Sequence, residues 1–140
     1  MAYVLGTSGL ISFDFGHKNY TQTSFDTQNR QLNTALNNAI YNSLTTANSY
    51  RIGGELRLKK ISLRGGYKLL ESPYKDKNIY GDLKAFSLGL GYNFGNSRLD
   101  LSYENSKRTI SQSLYNAGGL GSMNIDRNIS DFTISLGMNL

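Results

Sequence analysis

The sequence predicts an all-β fold, an up-and-down antiparallel transmembrane β-barrel. Three observations predict it. Six segments alternate apolar and polar residues with a period of two. Tight turns and long polar loops alternate between those segments. No stretch approaches the roughly 18 consecutive apolar residues of a transmembrane helix, in a chain that is 39% hydrophobic. Membrane barrels keep turns short on the periplasmic side and let loops grow outside. Their strands alternate lipid-facing with lumen-facing side chains.

The strands are expected at roughly 2–20, 49–59, 60–70, 82–94, 97–108 and 128–140. The first sets Ile11, Phe13 and Phe15 against Ser12, Asp14 and Gly16. The second sets Tyr50, Ile52, Leu56 and Leu58 against Arg51, Gly53, Glu55 and Arg57. The third sets Ile61, Leu63, Tyr67 and Leu69 against Ser62, Arg64, Gly66 and Lys68. In the fourth, Phe86, Leu88, Leu90, Tyr92 and Phe94 alternate with Ala85, Ser87, Gly89, Gly91 and Asn93. In the fifth, Leu99, Leu101 and Tyr103 alternate with Arg98, Asp100, Ser102 and Glu104. The last sets Phe132, Ile134, Leu136, Met138 and Leu140 against Asp131, Thr133, Ser135, Gly137 and Asn139. The joints read as long (about 21–48), tight (Lys59-Lys60), long (about 71–81), tight (Gly95-Asn96) and long (about 109–127).

A soluble sandwich would use the same alternation with its apolar face inward. The charges and glycines on the polar faces suit a wet lumen better. Tyr20, Tyr50, Tyr67, Tyr92 and Phe94 stand near strand ends, where an interfacial girdle belongs.

Composition sets further bounds. A chain of 140 residues holds one domain. With no cysteine it has no disulfide framework and no thiolate metal site. The net charge of +5 is spread over several elements, so no nucleic-acid partner is expected.

The chemistry-bearing residues fall in three groups. Asp14, Arg51, Glu55, Arg57, Arg64, Lys68, Asp100 and Glu104 share the polar faces and are the candidate lumen lining. They serve either as a charged passage or as cross-strand ion pairs that fix register, and the second is favoured. Leu32, Leu36, Ile40 and Leu44 recur every four residues, which places them on one side of a helix inside the first long loop. They are candidates for the lip of a hydrophobic groove, although simple packing on the barrel rim is favoured. His17, the single histidine, reads as a rim residue rather than a haem ligand. Gly118-Gly119-Leu120-Gly121-Ser122 lacks the Gly-Lys-Ser/Thr ending of a phosphate loop. Asn124, Asp126 and Asn128 alternate oxygen ligands but lack the bidentate Glu of a calcium loop. No paired nucleophile or metal cluster is present, so neither an enzyme nor a cofactor is expected.

A longer series of motifs points to a family. It runs through Leu10-Ile11-Ser12-Phe13-Asp14-Phe15, Tyr50-Arg51-Ile52-Gly53-Gly54-Glu55-Leu56-Arg57 and Ser62-Leu63-Arg64-Gly65-Gly66-Tyr67. It continues with Ser72-Pro73-Tyr74-Lys75-Asp76-Lys77, Ser87-Leu88-Gly89-Leu90-Gly91-Tyr92 and Leu99-Asp100-Leu101-Ser102-Tyr103. In order and spacing across nearly the whole chain, the series resembles the C-terminal part of the FadL/TodX outer-membrane transport family. The Bacteroidetes branch that carries a hemin-receptor label is the nearest in character. The resemblance implies about six C-terminal strands of a fourteen-stranded barrel, without the family's plug. It implies uptake of small hydrophobic solutes of fatty-acid or aromatic-hydrocarbon type. Met1-Ala2 leads straight into a strand with no secretory signal, so the expectation is a mature chain or a fragment of a longer one. The end, Phe132 to Leu140, alternates like an insertion signal but closes on Leu rather than an aromatic residue.

The expected setting is thus the bacterial outer membrane. The expected partners are the lipid bilayer, a hydrophobic small molecule, the outer-membrane insertion machinery, and missing N-terminal strands or another copy to close the barrel. The alternative is a soluble or self-assembling β-sheet binding module without transport activity.

Overall fold

The computed structural model describes residues 1–113 and 122–138. Seven strands form one antiparallel sheet among these residues: β1 (Ala2–Val4), β2 (Gly9–Asn19), β3 (Thr46–Leu58), β4 (Ile61–Leu70), β5 (Leu83–Asn93), β6 (Ser97–Ser113) and β7 (Ser122–Met138). Each strand pairs with the next in sequence, so the sheet is a pure meander with β1 and β7 as its outer strands. One helix, α1 (Arg30–Ser43), lies between β2 and β3. No helix among the described residues is long and apolar enough to cross a membrane.

The tight turns have local causes. At the β5–β6 turn Gly95 takes φ +103°, a left-handed conformation that costs glycine little. Asn93 Oδ1 accepts the Gly95 N–H at 2.8 Å, and Phe94 N–H reaches Ser97 O at 2.8 Å. At the β3–β4 turn Lys59 itself takes φ +52°, where an L side chain costs about 1–2 kcal/mol.

Two expected boundaries are corrected. The span 2–20 is two strands, not one, which makes seven strands in place of six. Leu5 N–H donates to Gly9 O at 2.8 Å and Ser8 N–H to Leu5 O at 3.0 Å, which closes a turn around Gly6. The run Gly6-Thr7-Ser8-Gly9 carries that turn signal. The long loop expected at 109–127 is mostly strand. β6 continues to Ser113 and β7 starts at Ser122, so the 17-residue strands pair from Ser97↔Met138 to Ser113↔Ser122. Polar residues in this extension suggested a loop, yet cross-strand pairing continues through it. Thr109 Oγ1 donates to Asp126 Oδ1 at 2.8 Å across it. The glycine-rich run at 118–121 and the last two residues lie outside the described residues.

A meander places alternate connections at the same end. The turns at 5–8, 59–60 and 94–96 therefore share one end, and the long connections share the other. Contacts agree. Arg57 N–H donates to Ser8 O at 2.7 Å at the turn end. At the loop end Thr45 N–H donates to Pro73 O at 2.8 Å, Lys75 N–H to Ser43 O at 2.9 Å and Gly81 N–H to Thr109 O at 2.8 Å.

Candidate functional site

The two faces of the sheet invert the usual pattern of burial. Only two apolar residues, Ala47 and Ala85, are buried among the described residues. Leu88 is 59% exposed, Ile134 74% and Phe132 79%. On the central strands β4 and β5 the polar partners between the apolar residues are less exposed. Along β4, Ile61, Leu63 and Tyr67 are exposed while Ser62, Arg64, Gly66 and Lys68 are half-buried. Along β5, Phe86, Leu88, Leu90 and Tyr92 are exposed, while Ser87 and Gly89 are half-buried and Gly91 is buried. A soluble domain buries its large apolar side chains first; this sheet turns them outward.

The polar face carries ion pairs that involve four strands, β2, β3, β4 and β6. Asp14 on β2 pairs with Arg51 on β3 at 2.6 Å. Glu55 on β3 meets Arg57 at 2.5 Å and Arg64 on β4 at 2.9 Å. Arg64 reaches on to Asp100 on β6 at 2.6 Å, and Lys68 on β4 reaches Glu104 on β6 at 2.6 Å. All eight candidate lining residues take part in these ion pairs, which fall into three separate sets.

Arg64 and Lys68 can skip a strand because β5 is nearly bare on this face. Gly89 stands opposite Arg64 and Gly91 opposite Asp100. A Cβ on Gly89 would sit 3.2 Å from Arg64 Cβ and 3.7 Å from its Cδ. Ala85, the partner of Lys68, is buried at 3% exposure. The small residues Ala85, Ser87, Gly89 and Gly91 thus form a channel over which β4 cations cross to β6 carboxylates. Sequence reading missed this role, and it missed Arg98, which holds Asp100 Oδ2 at 2.8 Å. A strand with only small residues on one face, between two charged strands, was the available signal. A trough of about 580 Å³ opens on this face, lined among others by Ser12, Gly53, Ser87, Ser102 and Ser135.

The apolar face is a band with slanted edges. Strand registers align Phe15 with Tyr50, Tyr67 with Phe86, and Tyr103 with Phe132. Relative to the ladder rows, each successive pair lies two residues nearer the turn end. The aromatic line therefore drops four residues over five strand steps. With about 3.3 Å per residue and 4.8 Å between strands, that slope is roughly 29°. Aromatic rings touch along it: Phe15–Tyr50 centroids are 5.3 Å apart, Phe86–Tyr103 5.8 Å and Tyr103–Phe132 4.7 Å. The opposite edge has Tyr92 and Phe94 at 4.6 Å. Beyond the aromatic line on the same face the residues turn polar: His17, Asn48, Lys84, Asn105 and Ser130, with Leu69 the exception.

The remaining candidates sort as follows. His17 Nδ1 lies 2.8 Å from Asn48 Oδ1 on the exposed rim, with no second histidine in the chain. Asp126 and Asn128 are drawn into cross-strand bonds with Thr109 and Asn105, at 2.8 and 2.7 Å. No group of three potential metal-ligating side chains occurs among the described residues. The expected helix is present as α1. Asn29 caps it, its Oδ1 accepting N–H groups of Gln31 at 3.0 Å and Leu32 at 3.2 Å. Leu36, Ile40 and Leu44 are half-buried and Leu32 is exposed. The hollow on this helix is lined by Arg30, Gln31, Thr34, Ala35 and Asn38. It lies on the polar side and not along the leucine stripe.

The second long loop, 71–82, clips the loop end together. Ser72 is buried at 2% exposure, and its N–H donates to Asp82 Oδ1 at 2.8 Å. Burial pushes the Asp82 carboxyl up, but the Ser72 N–H, the Lys77 ammonium and the charge of Lys84 together hold it below its ordinary value. Arg108 of β6 stacks over the Tyr80 ring at 4.2 Å and bonds its hydroxyl.

Compared with known proteins, the chain matches no family model, no curated protein and no solved structure.

Proposed function

We propose that the chain is wall material of a bacterial outer-membrane β-barrel of the channel type that takes up small hydrophobic solutes. The observation that carries the membrane part is the inverted burial on the central strands β4 and β5: large apolar side chains exposed, polar residues half-buried between them. The slant of the aromatic line adds independent support, because strands of membrane barrels tilt by about 35–45° and a girdle level with the bilayer must cross them obliquely. The ion pairs then line the lumen and pin register. The solute class rests on the resemblance to the FadL/TodX family.

Seven strands fall short of the eight in the smallest single-chain membrane barrels. No ladder joins β1 to β7 among the described residues. An open edge in hydrocarbon leaves backbone groups unpaired, at several kcal/mol each. Closure therefore calls for further strands, from a longer chain or another copy. The free edge of the 17-residue β7 also favours the second reading, a self-assembling sheet module, since such an edge templates pairing.

Cell fractionation followed by uptake assays tests the proposal. The protein should sediment with outer membranes, and deleting its gene should lower uptake of a labelled fatty acid or small aromatic. Recovery from the soluble fraction would refute the membrane part. Outer-membrane recovery with unchanged uptake would refute the solute assignment.

A further inference from the structure

Lys84 of β5 and Lys107 of β6 are direct cross-strand partners, and both are exposed. They share the apolar side of the sheet, since Lys84 lies two residues from Phe86 and Lys107 four from Tyr103 along their strands. Direct partners hold their Cβ atoms about 4.5–5.5 Å apart, and like charges so placed repel. Neither lysine forms an ion pair among the described residues. The carboxylates nearest along the same side are already engaged. Asp82 accepts from the Ser72 N–H at 2.8 Å and from Lys77 Nζ at 3.2 Å; Asp126 accepts from Thr109 Oγ1 at 2.8 Å. The outer members of the row, Leu69 and Asn128, bring no charge. One row toward the turn end lies Phe86, followed by Leu88 and Leu90, all exposed. Two opposed cations thus stand at the head of an apolar strip.

We propose that Lys84 and Lys107 together bind the phosphate of an anionic lipid whose acyl chains lie along Phe86, Leu88 and Leu90. This rests on the membrane reading, which places the row just beyond the aromatic line at headgroup level. A phosphate between the two ammonium groups removes their repulsion, and the apolar strip accepts the chains. A basic residue at an anionic surface enriches such lipids by about 1 kcal/mol, roughly five-fold.

The chain has no native cysteine, so a fluorophore on Leu88→Cys is a unique reporter. The full chain is reconstituted in phosphatidylcholine vesicles with a minor fraction of either doxyl-phosphatidylglycerol or doxyl-phosphatidylcholine. The anionic quencher should be several-fold more effective, and K84Q/K107Q should equalise the two. Lys84→Glu, which creates an ion pair with Lys107, should equalise them as well. Inorganic phosphate at matched concentration should not displace the anionic lipid. No preference in the unaltered chain, a preference that survives K84Q/K107Q, or displacement by inorganic phosphate would overturn the proposal. Quenching by neither lipid would overturn the membrane reading itself, and this site with it.

Discussion

Gly89→Leu should have opposite effects depending on Arg64. Arg64 passes over Gly89 to reach Asp100, and a Cβ there already meets Arg64 Cβ at 3.2 Å. A leucine would occupy the path of the guanidinium and break its bonds to Glu55 and Asp100, now 2.9 and 2.6 Å long. Two hydrogen bonds between charged groups are worth about 1.5–3 kcal/mol each when sheltered. Two facts reduce that figure. The Arg64 side chain is 36% exposed, and the carboxylates keep Arg57 and Arg98 as second partners. A net loss of about 1–2 kcal/mol follows after solvent screening. Against it stands the gain of about 0.5–1 kcal/mol from removing a glycine from a strand interior. Gly89→Leu should therefore destabilise the unaltered chain slightly, yet stabilise the Arg64→Ala background. The coupling in a double-mutant cycle should be about 1–2 kcal/mol. Guanidinium unfolding in detergent micelles, followed by far-UV circular dichroism, measures it. Equal effects in both backgrounds would refute the idea that glycine is there to let Arg64 cross.

Other expectations follow from the same geometry. Leu136→Arg should cost about 2–4 kcal/mol at mid-bilayer and Ser87→Arg much less; equal tolerance by the same unfolding assay would count against the face assignment. Trypsin added to intact cells should cut within the long loops, for example at Arg30, and spare Lys59-Lys60; the reverse would invert the topology. Asp82 is held below its ordinary carboxylate value, so its contribution is present above that value and lost as pH falls through the depressed one. Hydrogen exchange of the Ser72 amide should accelerate in that acid range relative to the intrinsic rate, and Asp82→Asn should remove the acid dependence. The chain as an unclosed monomer should not give saturable uptake of a labelled fatty acid in liposomes, and such uptake would mean the sheet closes unaided.

Most strands were legible because each presents one continuous apolar face, and period-two patterning needs no tertiary context. The outer parts of β6 and β7 were not, since Thr109, Ser111, Asn124 and Asp126 look like loop when the strand no longer faces anything apolar. The turn at Gly6 was hidden inside a segment whose later half alternates well. The charged candidates were legible as one face, but their connectivity was not. That Arg64 and Lys68 skip β5 depends on the side-chain size of Ala85 and Gly89 and on register, which a single strand's pattern does not contain. The leucine stripe predicted α1 correctly, while its surroundings depend on how residues 71–82 fold back.

Single cysteines at 87, 88, 89 and 90 test the central claim most directly, because adjacent positions on one strand report opposite faces. In phosphatidylcholine vesicles, labels at 88 and 90 should be quenched by doxyl lipids and those cysteines should resist a water-soluble maleimide. Positions 87 and 89 should react with the maleimide and escape the lipid quencher. Rapid aqueous labelling at 88 and 90, or no alternation across the four positions, would contradict the assignment of the apolar face to lipid.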